Sequence, residues 1–106
     1  MMTYTLRIDG AEAGDITRVL GRPSDAPGSW SYVIKEESFD FATEFIRFVE
    51  EHLVALRDLG LDRSNTSAWV LYEYDEQCNL EFRPEQMKKL GDAGITLCVS
   101  CWQAAM

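Results

Sequence analysis

Tyr4, Leu6 and Ile8 alternate with Thr3, Thr5, Arg7 and Asp9. A period of two marks a strand with one buried face, so residues 3–9 are predicted as a strand that Gly10 ends. Ile16, Val19 and Leu20 then recur at helical spacing. They predict a short helix over 15–20, with Asp15 as the N-cap and Gly21 as the stop. Pro23, Pro27 and Gly28 make 22–29 an exposed loop. A second strand follows over 30–35, where Trp30, Tyr32 and Ile34 alternate with Ser31, Val33 and Lys35.

The strongest periodicity runs from Asp40 to Leu59. At 100° per residue, Phe41, Phe45, Phe48, Val49, Leu53, Leu56 and Leu59 gather on one arc, with Ala42 and Ile46 at its edge. The pattern predicts a single long amphipathic helix closed by Gly60. A third strand is predicted over 67–74. Asp75-Glu76-Gln77-Cys78-Asn79 reads as a hairpin turn, with a return strand over 80–83. Pro84 opens a third helix with Met87 and Leu90 inward and Gly91 closing it, and a last strand covers 95–102.

The expected order is β-α-β-α-β-β-α-β in one α+β domain covering 1–106. Its architecture is a two-layer sandwich, a mixed sheet of about five strands with helices on one face. The chain length of 106 residues suits one domain and is too short for two. The longest apolar run, Ala68 to Tyr72, is far too short to span a bilayer, so no membrane association is expected. Met1 to Thr5 has neither a basic stretch nor an apolar core, so no signal peptide is expected. Three cysteines cannot all pair within one chain, which favours a reducing, cytoplasmic setting.

Charge sharpens this picture. The net charge is −8, and two segments hold the excess. Glu36, Glu37, Asp40, Glu44, Glu50 and Glu51 face Arg47 alone, and Glu73, Asp75, Glu76, Glu81 and Glu85 face Arg83 alone. Such a field repels phosphate backbones and anionic membranes and attracts cationic partners, so no nucleic acid is expected as a ligand. On a continuous helix Asp40, Glu44, Glu51 and Asp58 would form a ridge beside the apolar arc, with Arg47 in reach of Glu44 and Glu51. With Asp75 and Glu76 of the turn, these are the candidate partner-binding residues. The bland reading is a solvated flank with weak ion pairs that keeps the protein soluble.

Catalytic parts are scarce. His52, the lone histidine, falls near the centre of the apolar arc between Phe45, Val49 and Leu56, which predicts a buried imidazole bonded to a backbone or hydroxyl partner. Cys98-Val99-Ser100-Cys101 spells C-x-x-C, but on a strand residues three apart point to opposite faces. A redox pair needs a turn at a helix start and a zinc knuckle needs a second ligand pair, so both cysteines read as small core residues. Cys78 lies beside Asp75 and Glu76, whose charges disfavour a thiolate. There is no G-x-S-x-G elbow, no phosphate loop and no D-x-D-x-D-G loop, so neither enzymatic activity, a cofactor nor a metal is expected.

Several landmarks together resemble a known family. They are Ile16-Thr17-Arg18-Val19-Leu20-Gly21-Arg22-Pro23, Gly28-Ser29-Trp30 leading a strand, the long helix, a Trp-bearing strand, and Leu80-Glu81-Phe82-Arg83-Pro84-Glu85-Gln86-Met87 running through Leu90-Gly91 into Ile95-Thr96-Leu97-Cys98-Val99. The layout is similar to a family of small bacterial proteins of unknown function, the one numbered 4279. The resemblance implies a bacterial or phage origin and an α+β layout, and it carries over no activity and no site residue.

The expected function is a non-catalytic interaction module for a basic protein partner, most concretely a toxin-neutralising immunity protein or other inhibitor. The alternative is a small-ligand or enzymatic domain with a Trp- and Tyr-lined pocket between sheet and helices. A mimic of the phosphate backbone is a third reading, with only the four acids of the ridge to support it. A homo-oligomer is compatible with all three.

Overall fold

The computed structural model describes residues 2–36 and 39–104. Strands β1 (Met2–Ile8), β2 (Trp30–Ile34), β3 (Thr66–Tyr74) and β4 (Thr96–Gln103) form one sheet in the order β2-β1-β3-β4. β1 runs antiparallel to β2 and β3, and β4 runs parallel to β3. The sheet is mixed, as the pattern predicts, but has four strands rather than five. Residues 75–83 form no return strand. β3 already hydrogen-bonds β1 on one edge and β4 on the other, so no edge is left for one. A parallel neighbour also requires a crossover, and 75–83 is its first leg. Phe82 turns to the core, its ring edge-on to Phe41 at 6.4 Å.

The alternation read from β1 is the one observed: Tyr4, Leu6 and Ile8 are buried, and Thr3, Thr5 and Arg7 point the other way. Ala68 and Val70 of β3 join them. Against this face pack α1 (Ala13–Leu20), α2 (Phe41–Glu51), α3 (Leu53–Asp58) and α4 (Pro84–Ala93). The opposite face carries no helix. Trp30 is fully buried and stacks on Phe48, Tyr4 stacks on Phe41 at 5.0 Å, and Tyr32 meets Phe45 edge-on. Such ring pairs add to the burial of large apolar areas.

The arc predicted over 40–59 is buried at Phe41, Ala42, Phe45, Phe48, Val49, Leu53 and Leu56. The single rod is not observed, because the helix breaks at His52 into α2 and α3. The His52 N–H is shared between the carbonyls of Phe48 and Val49, both at 3.2 Å, which tightens the turn. The two halves also have different neighbours, α2 lying on α4 and α3 on α1. His52 itself has φ −110° and ψ 10°, away from helical values, yet the buried stripe continues from Val49 to Leu53 and Leu56.

Two helix ends depart from expectation. Asp15 lies inside the first turn of α1, and the N-cap is Glu12, whose carbonyl accepts the Asp15 N–H at 3.0 Å. An acid suits that turn through the helix dipole. Gly91 lies inside α4, which continues to Ala93 and ends at Gly94 with φ 71°. There the Gly94 N–H donates to Gly91 and the Ile95 N–H to Leu90, the pairing that closes a helix through a left-handed residue. Ile95 and Leu90 are both buried, so this cap also packs.

Candidate functional site

Asp40 caps α2. Its carboxylate accepts the Thr43 N–H at 3.2 Å and the Thr43 hydroxyl at 2.8 Å. The hydroxyl bond is the main cause holding this carboxyl below its ordinary pKa, against a smaller opposing effect of burial. The backbone bond and the nearby Lys89 charge act in the same direction as the hydroxyl. Lys89 comes from α4 and donates to Thr43 Oγ1 at 3.1 Å. Asp40, Arg83, Glu85 and Lys89 help line a depression of about 580 Å³, so both signs of charge meet there.

Glu44 and Glu51 flank Arg47. Arg47 Nη1 donates to Glu51 at 2.7 Å, and Arg47 Nη2 pairs with Glu44. These hydrogen bonds, Glu44 first, raise the guanidinium pKa. The Tyr32 hydroxyl also donates to Glu44, at 3.4 Å. Burial, and then the Glu44 charge, push the Tyr32 phenol upward. Glu50 is likewise engaged, with Arg63 at 2.7 Å. Asp58 is exposed on α3, beyond the break at His52. Asp58 therefore lies on a different helix from Glu44 and Glu51, which Asp40 precedes as the cap of α2, and Arg47 pairs with Glu44 and Glu51. Glu37 lies outside the described residues.

The second acidic segment differs. Asp75, Glu76, Glu81 and Glu85 are exposed, and among the described residues none has an ion-pair partner. They lie on the β3–α4 connection and the first turn of α4. Asp75 and Glu76 are candidate contacts from the sequence; Glu81 and Glu85 join them only in the structure, where 80–83 is irregular rather than a strand.

His52 is half-buried rather than enclosed. Its Nδ1 lies 2.8 Å from the Phe48 carbonyl, to which it donates, and its ring lies 4.3 Å from that of Phe48. The backbone partner expected for this histidine is present. A carbonyl and an aromatic ring hold the imidazole where α2 gives way to α3.

Cys98 and Cys101 lie on opposite faces of β4. Cys98 is opposite Trp69 on the helix-free face and Cys101 opposite Tyr72 on the other, so the C-x-x-C is not a thiol pair. Cys78 and Cys101 are both free and exposed, and Cys78, the largest cause, pushes the Cys101 thiol pKa upward. Among the described residues no three His, Cys, Asp or Glu side chains gather as a metal-holding group. No described helix is long and apolar enough to cross a membrane.

Between sheet and helices, where an aromatic pocket would lie, Trp30, Tyr4 and Tyr32 are packed against phenylalanine rings. On the helix-free face Thr5, Arg7, Val33, Trp69 and Leu71 help line a depression of about 320 Å³, with the Arg7 guanidinium 5.8 Å from the Trp69 ring centre. Comparisons with protein-family models, curated proteins and solved structures return no match.

Proposed function

We propose that this protein is a non-catalytic interaction module that offers its acidic β3–α4 connection to a basic protein surface. One observation carries the reading: Asp75, Glu76 and Glu81 are exposed and have no ion-pair partner among the described residues, whereas Glu44, Glu50 and Glu51 on α2 each have an arginine partner. Free carboxylates steer a cationic partner and reject an anionic one, while paired ones contribute little to the far field. Asp40, Glu44, Glu51 and Asp58 then form a secondary rim, and Asp75 and Glu76 the centre of contact. The most concrete form is a cytoplasmic bacterial immunity protein or inhibitor, similar in layout to the uncharacterised family 4279.

The test begins with affinity capture and identification of the bound protein, followed by titration of the purified pair. The proposal expects a basic partner whose affinity falls at least tenfold between about 0.05 M and 0.5 M salt. The same loss is expected at low salt on Asp75→Asn with Glu76→Gln. Affinity indifferent to both changes removes the acidic connection from the explanation.

A further inference from the structure

The two edges of the sheet end differently. On the outer edge of β2 the chain closes the strand itself. The Ser31 N–H donates to Ser24 Oγ at 2.9 Å, the Ser31 carbonyl accepts the Asp25 N–H at 2.7 Å, and the Val33 N–H donates to the Asp25 carboxylate at 2.9 Å. β4 is the other edge, and among the described residues no loop or side chain bonds its backbone from outside. The Ala104 N–H donates to the Tyr74 carbonyl at 2.7 Å, continuing the parallel register that sets Gln103 beside Tyr74. In a parallel ladder every second residue turns both backbone groups to the same neighbour, so Cys98, Ser100 and Trp102 bond β3. Leu97, Val99, Cys101 and Gln103 therefore turn their N–H and C=O outward. Open edges are usually blunted by a charge, a proline or a bulge. Residues 96–103 hold no charged residue and no proline in a chain of net charge −8, and Val99 and Trp102 are 44% and 45% exposed.

We propose that β4 pairs with β4 of a second copy of this chain, antiparallel about a twofold axis, joining two four-stranded sheets edge to edge. An axis normal to the sheet keeps like faces together. With the axis at Ser100, Val99 lies opposite Cys101 and Leu97 opposite Gln103. All four are outward-facing residues, so each pair exchanges both backbone bonds. Cys98 then lies opposite Trp102 on the helix-free face. Charge selects this occupant. A basic partner finds no carboxylate on β4, whereas a second acidic copy meets a strand with no like charge on it. The other carboxylates of the two copies repel, so the dimer is weak and tightens as salt screens them. That sign is opposite to the one expected for a basic protein on the β3–α4 connection, and the pairing does not rest on that reading.

The experiment sediments the full chain under reducing conditions from about 5 µM to about 0.5 mM, the range in which small interfaces form. The expected result is a shift from monomer to dimer, with affinity rising at least about threefold between about 0.05 M and 0.5 M salt. Amide hydrogen exchange followed by NMR locates the contact. Leu97, Val99, Cys101 and Gln103 should gain at least about tenfold protection at the higher concentration, while Cys98, Ser100 and Trp102 are protected at both. Val99→Pro removes one outward N–H and no bond to β3, and it should hold the chain monomeric. Val99→Asp, at an exposed position, keeps the whole backbone ladder and should do the same by like-charge repulsion. Circular dichroism confirms that each variant folds. A monomer at every concentration would overturn the proposal and leave the edge to another protein's strand. A dimer that persists in Val99→Asp, or one that leaves the four outward amides unprotected, would overturn it equally.

Discussion

The His52 imidazole donates its Nδ1–H to the carbonyl of Phe48, 2.8 Å away, and lies against the Phe48 ring. One residue thus both receives and stacks on the side chain at the point where α2 gives way to α3. His52→Ala should lower stability by about 1–2 kcal/mol, the loss of one half-buried hydrogen bond and one ring contact. A fully enclosed histidine would cost more. Urea denaturation gives the number, and a change within error would show that the junction does not need the ring.

Asp40 ties α2 to its first turn through Thr43. Asp40→Ala should cost about 1 kcal/mol, as is usual for a lost N-cap. Because the folded pKa is depressed, the charge contribution is complete above the unfolded carboxyl value of about 3.9 and fades as pH falls through the folded value. Asn caps equally well but does not titrate in this range. Wild type should therefore lose stability relative to Asp40→Asn as the pH is lowered from 5 towards 3, as followed by thermal melts.

Gly91 and Gly94 stand three residues apart and should respond oppositely to alanine. Gly91 is helical with open space where a Cβ would go, so Gly91→Ala should stabilise by about 0.5–1 kcal/mol. Gly94 has φ 71°, and Gly94→Ala should destabilise by about 1 kcal/mol through backbone strain. Chemical denaturation of the two variants decides the matter, and equal signs would contradict the placement of the helix end.

Trp30 has no exposed surface, and its indole N–H donates to the Arg22 carbonyl at 3.1 Å. Trp30→Ala should remove about 3–5 kcal/mol by leaving a cavity beside Phe48. Trp30→Phe keeps most of the volume but leaves the part-buried Arg22 carbonyl without this donor, for a loss of about 1–2 kcal/mol. Calorimetry should rank the variants in that order, and reversal would mean that the hydrogen bond outweighs the packing.

The periodicity of the chain by itself determined most of the core, although Met87, expected inward on α4, is exposed while Leu90 is buried. Tyr4, Leu6 and Ile8 on β1 and the arc from Phe41 to Leu56 are core because alternation and helical spacing are local and are repeated over many residues. The stops at Gly21 and Gly60 were equally legible, since a left-handed residue there is a local requirement. Only the tertiary structure decided what depends on distant partners. The alternation at Leu80-Glu81-Phe82-Arg83 would suit a strand, but β4 takes the edge of β3 that it needs. The break at His52 separates α2, which rests on α4, from α3, which rests on α1, and it puts Asp58 on a different helix from Glu44 and Glu51. Arg47 is within reach of its acids on any helix, whereas Lys89 reaches Thr43 only across the fold. A pattern along the chain reports the faces of each element, while pairings between elements depend on how those faces close around one core.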